Sequence, residues 1–483
     1  VLLVDVARAE VKVPPLFSDH MVLQRTRPVP IWGEAAPGEQ VVVELGKHKQ
    51  TTLADTNGKW MVRLKPLRAG GPFELIVTGR NTLTVKHVLV GEVWLCSGQS
   101  NMQFPVAQAD GAQAALARAD DSHLRLYQVE RPRKHQLPRN PGGQWSPATS
   151  NSVAGFSAVG YYFGAQLRKT LGVPVGLIDC TVGGSTAQAW TPREALAADP
   201  VFKPMLDEDW SKWIAANDKF DATPGAAWPL VPFKWNQPCA IYDSMVKPLV
   251  PCAIRGVIWY QGEANAPRAH LYRKLFPALI RGWRKAWGEG DFPFLFVQLA
   301  HGLTPPGPQP AESACAELRE AQTMTLSVRN TGMAVSADTA PHDIHPRNKH
   351  IVGERLALLA EAKVYGRAVP YAGPTYVSMK VERDKIRIRF THARGLRARD
   401  TTPQGFAVAG KDRKWHWASA QIESETVVVR SDSVPAPVAV RYGWSDVPVL
   451  NLYNGDGLPA VPFRTDDWEG VTEKSSFVPA DQL

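Results

Sequence analysis

Between residues 13 and about 90, hydrophobic and polar positions alternate in short runs: Val41, Val43 and Leu45, then Trp60, Val62 and Leu64, then Phe73, Leu75 and Val77. A period of two buries one face of a strand and leaves the other in water. Turn signals fall between the runs, at Pro37-Gly38, Asn57-Gly58 and Gly70-Gly71-Pro72, which predicts a small β-sandwich module over 10–90. From about residue 91 the pattern changes. Short, largely apolar runs at 93–95, 175–178, 257–260, 294–297 and 333–335 are separated by longer stretches. Strands buried on both faces of a parallel sheet read this way. Helices are predicted near 157–171, 268–287 and 347–363. Beyond about 370, β signals return at 386–390, 406–408 and 427–429. The expected fold is therefore an α/β domain with a parallel sheet over 91–368, flanked by all-β modules at 10–90 and 369–483.

Composition narrows the classes. A chain of 483 residues exceeds what one core usually organises, in keeping with several modules. The net charge of +9 would permit nucleic-acid binding, but the Lys and Arg residues are scattered and form no stripe, so no nucleic-acid partner is expected. The same modest field favours acidic glycans. No run reaches the 18 or more apolar residues of a membrane span. The first residues end in Ala7-Arg8-Ala9, a small-x-small pattern that resembles the tail of a secretory signal peptide cleaved after Ala9. The alternative is an N-terminal strand; on the first reading the protein is secreted or periplasmic. The cysteines, at 96, 180, 239, 252 and 315, are odd in number and lack metal-ligand spacing, so no metal site is expected. Cys239 and Cys252 flank a short segment and are candidates to pair in an oxidising compartment. No sequence feature sets an oligomeric state.

In an open α/β sheet, ligands gather where the βα loops converge at the carboxyl ends of the strands. Unusual polar segments fall at those ends here: Ser97-Gly98-Gln99-Ser100-Asn101, Gly183-Gly184-Ser185, Gln261-Gly262-Glu263-Ala264-Asn265 and His342-Asp343-Ile344-His345-Pro346. Taken singly, each is an ordinary loop. Together they supply the parts of nucleophilic catalysis, which needs a nucleophile, a base, a group that supports the base, and donors for a developing oxyanion. Ser100 is the candidate nucleophile, His345 the base and then acid, and Asp343 the supporting carboxylate, with Asp338 or a backbone carbonyl as alternatives. Ser100 N–H, Gly184 N–H and the Gln261 amide form the candidate oxyanion hole. Asn101, Trp259, Glu263 and Asn265 are candidate substrate-binding residues.

Three blocks carry a family resemblance. Gly91-Glu92-Val93-Trp94-Leu95-Cys96-Ser97-Gly98-Gln99-Ser100-Asn101-Met102 resembles block I of the sialate O-acetylesterase group of the SGNH hydrolase superfamily. Trp259-Tyr260-Gln261-Gly262-Glu263-Ala264-Asn265 resembles its Trp-x-Gln-Gly-Glu block, and Asp343-Ile344-His345-Pro346 the block carrying the catalytic His. The resemblance spans nearly the whole chain. It implies a flavodoxin-like three-layer hydrolase domain, hydrolysis of acetyl esters on sialic acid or plant cell-wall glycans, and no metal or organic cofactor. Two departures stand out. Ile241-Tyr242-Asp243-Ser244-Met245 replaces the family's Leu-Tyr-Asn-Gly-Met and is expected to alter the acyl-pocket rim. The acid also precedes the His by two positions instead of three. Position 102 is Met, so the Gly-x-Ser-x-Gly elbow of α/β-hydrolases is absent.

The stretch between the second and third apolar runs concentrates Trp210, Trp213, Trp228 and Trp235 with Lys203, Lys212, Lys219 and Lys234. Sugars stack on flat apolar rings, so this insertion is expected to cap the site. Two rival readings are an SGNH lipase- or thioesterase-type hydrolase acting on longer acyl esters, and a non-catalytic carbohydrate-binding protein in which the β modules do the work.

Overall fold

The computed structural model describes residues 10–132, 136–138, 141–223, 233–300, 307–339, 343–399 and 402–475. Its central sheet contains β1 (Thr82–Gly98), β2 (Asp121–Gln128), β3 (Trp145–Ala148), β4 (Val175–Thr181), β5 (Gly256–Tyr260), β6 (Phe294–Gln298) and β7 (Thr331–Val335). Their spatial order is β7-β6-β5-β1-β4-β2-β3. Neighbours run parallel except β2 and β3. Without the added pair β2 and β3, the strands follow the doubly wound order 2-1-3-4-5, whose direction reverses between β1 and β5. That reversal opens the crevice in which ligands collect.

The helices that matter for the site and the layers are α1 (Ser100–Gln103), α2 (Ala158–Leu171), α3 (Ala269–Trp287), α4 (Ala314–Met324) and α5 (Lys349–Lys363). Every residue of β4 to β7 is buried, because α2 with α5 and α3 with α4 pack as layers against the sheet. Side chains alternate along β5. Trp259 meets Phe276 and Trp283 of α3, while Tyr260 lies under Lys349 at the start of α5. Burying rings of this size stabilises the layer by about 3 kcal/mol each. The fold class is the one that the pattern and the resemblance predict.

β1 belongs to two layers. Its residues 82–90 pair antiparallel with Gly70–Thr78 and, near the end, parallel with Val22–Gln24. Residues 92–98 pair with β4 and β5. The boundary drawn at 90/91 thus falls inside one continuous strand. Glu92, fully buried there, accepts from Arg25 at 2.5 Å, from Arg255 at 2.6 and 3.1 Å, and from Gln24 at 3.1 Å. Its carboxyl is held below the ordinary range: burial pushes it up, but hydrogen bonds and charge from Arg255 and Arg25 outweigh burial. The C-terminal segment folds into two four-stranded antiparallel sheets and a two-stranded one that pairs Arg397–Ala398 with Leu452–Tyr453. One four-stranded sheet joins Thr375–Glu382, Lys385–Thr391, Thr426–Arg430 and Ser419–Glu423; the other joins Trp415–Trp417, Phe406–Ala409, Ala439–Tyr442 and Phe463–Arg464.

The suggested Cys239–Cys252 pair does not form; all five thiols are free. The two residues sit in different surroundings. Cys239 lies beside Asp243, Arg193 and Glu194, whereas Cys252 lies near Glu289 and Tyr127. Among the described residues no helix is long and apolar enough to cross a membrane, and no group of three or more His, Cys, Asp or Glu could hold a metal ion.

Candidate active site

The βα loops after β1, β4, β5 and β7 converge at the crevice as the sequence predicts, around a cleft of about 580 Å³. Ser100, Gly183, Gly184, Glu263 and His345 line it. Gly98 closes β1 at φ +135°; a Cβ there would stand 2.2 Å from the Tyr260 carbonyl oxygen. Only glycine lets the Ser100 loop lie this close to β5. Gln99 then ties the two loops together, its Oε1 accepting the Gly262 N–H at 3.1 Å.

Ser100 and His345, 245 positions apart, meet at 2.8 Å between Oγ and Nε2. Burial pushes the His345 pKa below its ordinary value, and nearby Lys349 adds to the fall while Asp343 opposes it. The imidazole is therefore biased toward its neutral, proton-accepting form.

Asp343 is close but does not hold the ring. Its Oδ1 accepts the backbone N–H of His345 at 2.8 Å, so the two-residue spacing builds a turn and leaves only an electrostatic influence on the imidazole. Asp338 is also engaged elsewhere, in a two-pronged pair with Arg355 at 2.6 and 2.8 Å and as acceptor from Tyr453.

The loop after β4 is clamped from both sides. Gly183 N–H donates to Gln103 Oε1 at 2.7 Å, and Asn236 Nδ2 donates to the Gly184 carbonyl at 3.0 Å. Gly184 has φ +66°. Its N–H, like that of Ser100, meets no protein acceptor among the described residues.

Four other sequence candidates are corrected. Gln261 is fully buried. Its Nε2 donates to Ser185 O at 3.0 Å and to Asn265 Oδ1 at 2.8 Å, so neither amide hydrogen is left for an oxyanion. Asn265 is likewise buried, donating to Gln188 Oε1 and accepting from Ala187 N–H and Gln261. Trp259 is core, edge-on to Trp190 and Trp283. Asn101 is a bridge, not a substrate contact. Its Nδ2 donates to Glu263 Oε1 at 2.6 Å and to Ile344 O at 2.8 Å, and its Oδ1 accepts from Lys349.

Glu263 does face the cleft. Among the described residues its buried Oε2 has no hydrogen-bond partner, and burial raises its pKa. Of the proposed aromatic cap, Trp210 and Trp213 are buried in their own segment. Trp235 lines the cleft, stacked on Phe233 with ring centres 4.5 Å apart. Trp228 lies outside the described residues. The segment Ile241 to Met245 does not border the cleft, and Ile241 and Met245 are fully buried. Sequence reasoning missed Gln103, Asn236, Phe233 and Lys349, which carry no motif of their own.

Comparison with known proteins gives the family. The family described as carbohydrate esterase, sialic acid-specific acetylesterase, matches residues 90–210 and 231–360, which hold the Ser100 loop, the clamped loop and the His345 loop. The chain belongs to this acetylesterase family. It is 31% identical to the human sialate O-acetylesterase, over 92% of this chain and 91% of the relative. The rat sialate O-acetylesterase is 30% identical over 92% and 93%. The crystal structure of a carbohydrate acetylesterase from Xanthomonas citri superposes with a TM-score of 0.82 at 40% identity, covering 95% of this chain and all of that one. This acetylesterase is accordingly a carboxylic ester hydrolase whose family acts on O-acetylated carbohydrate.

Proposed function

We propose that the protein removes O-acetyl groups from sialic acid or plant cell-wall glycans through an acetyl-enzyme on Ser100. The observation that carries the reading is the 2.8 Å contact between Ser100 Oγ and His345 Nε2 inside the cleft. Ser100 Oγ attacks the acetyl carbonyl carbon as His345 Nε2 takes its proton. The resulting oxyanion is held by the N–H groups of Ser100 and Gly184, which replace the Gln261 amide assigned from the sequence. As the bond to the sugar oxygen breaks, His345 returns the proton to that oxygen. Water, deprotonated by the same imidazole, then releases acetate and restores the serine. Asp343 supports the charged imidazole through space, so the site works mainly as a Ser–His pair. A secreted or periplasmic location is part of this reading, and cell fractionation tests it.

Purified protein is expected to release acetate from p-nitrophenyl acetate. Ser100→Ala should abolish this while its thermal unfolding stays unchanged; a variant that keeps its activity would overturn the nucleophile. A chain-length series of nitrophenyl esters separates acetyl preference from a lipase- or thioesterase-type activity. Acetate release from a panel of acetylated sialosides and hemicelluloses identifies the sugar.

A further inference from the structure

Lys349 is a cation with no exposed surface, directly behind the nucleophile. Taking an ammonium out of water is costly, and the first position of α5 adds the unfavourable end of a helix dipole. No carboxylate forms an ion pair with it among the described residues. Its hydrogen-bond acceptor is Asn101 Oδ1, and the rings of Phe104 and Tyr260 lie 5.0 and 5.4 Å from Nζ. A Met would fill this space without the penalty, so packing alone does not account for the charge.

Occupying Asn101 Oδ1 fixes the orientation of that amide. Both Nδ2 hydrogens then point outward, one to Glu263 Oε1 and one to the carbonyl of Ile344, the residue before His345. Asn101 in turn directly follows Ser100. A single buried ammonium thus aligns the chain on both sides of the 2.8 Å Ser100–His345 contact. No carboxylate does this through the ring, since Asp343 binds the His345 backbone.

We infer that Lys349 is a positioning residue of the site: through Asn101 it locks the Ser100 helix to the His345 loop, and its ammonium repels a second positive charge on the imidazole. The inference rests on the serine mechanism proposed above. Burial lowers the Lys349 pKa to about 7, so it is charged across the acid limb where His345 titrates. The other charged or titratable groups facing the pair are Glu263 from the loop after β5, Tyr260 on β5, Asp343 on the His345 loop and Arg131 at the cleft wall.

The test is kcat/KM against pH for p-nitrophenyl acetate with Lys349→Met and Lys349→Gln. Gln can still donate to Asn101 but carries no charge. Both variants should move the acid limb to higher pH, by about half a unit or more. Met should also lower kcat by roughly tenfold or more with KM within about threefold, whereas Gln should retain more of kcat. The position of the limb does not depend on how much protein folds, so partial misfolding leaves the readout intact. Limbs coincident with wild type in both variants would overturn the charge role, and full kcat in Lys349→Met the alignment. If Ser100→Ala is inactive and the Lys349 variants are unaltered, only this inference fails; if Ser100→Ala is active, the serine mechanism beneath it fails.

Discussion

Gly184→Ala is the substitution that most directly tests the oxyanion assignment. At φ +66° a residue with a Cβ costs about 1–2 kcal/mol relative to an ordinary conformation. The added Cβ would also meet Phe233 Cε2 at 3.2 Å, so the ring must give by a few tenths of an ångström. The turn has little freedom to swing as a whole, because Gln103 holds the Gly183 N–H and Asn236 holds the Gly184 carbonyl. Relief therefore comes from rotating the peptide between 183 and 184, and that peptide carries the Gly184 N–H. Losing one such donor raises the barrier by about 2.7–4 kcal/mol, a hundred- to thousandfold in kcat. Stability should fall by only about 1–2 kcal/mol, a few degrees in Tm. Steady-state kinetics on p-nitrophenyl acetate beside a thermal melt measures both. Gly183→Ala serves as the control: its φ is not positive, and its Cβ would meet only the flexible end of Gln103, Oε1 at 3.3 Å, with Ser100 Cβ at 3.7 Å. If Gly184→Ala lowers Tm but leaves kcat within about threefold of wild type, the strain is real and the N–H plays no part in catalysis.

Asp343→Asn should cost less than about tenfold in kcat, since an Asn oxygen can still accept the His345 N–H. Removing the charge takes away the influence that holds the His345 pKa up, so the acid limb should move to lower pH. Glu92→Gln should destabilise by about 2 kcal/mol, less than a fully buried broken pair because Arg25 and Arg255 keep some contact with water. Glu92 has a depressed carboxyl pKa, so its contribution is present above the ordinary carboxylate pKa and is lost as pH falls through the folded value; urea titrations of both proteins should converge at low pH. Trp235→Ala should raise KM for an acetylated oligosaccharide by roughly three- to tenfold, the worth of a ring-stacking contact, with p-nitrophenyl acetate little affected; equal losses on both substrates would assign Trp235 to structure alone.

Much of this site is legible in the sequence because it lies at strand ends. Buried parallel strands announce themselves as apolar runs, and the polar loops after them converge whatever their sequence separation; Ser100 and His345 are found that way. Gln261 and Asn265 show where such reading stops. Both look like free amides at a strand end, yet each spends its hydrogen bonds on its neighbours, and a sequence does not display which donors are already used. Trp259 illustrates parity: one step from Tyr260 along β5, it faces α3 instead of the site. Lys349 is hardest to see, since a Lys opening a helix reads as solvated until the helix is packed against Tyr260 and Phe104.

The two-layer strand β1 bears on how this enzyme can be cut and joined. Its 17 residues run from the N-terminal β layer to the turn before Ser100, so the first module is not an appendage on a linker. A truncation at residue 90 would sever a continuous strand two residues before Glu92, and would remove Arg25 and Gln24 from that carboxylate. Swapping the N-terminal module between relatives would thus require the two parents to agree in the pitch and pairing of one strand.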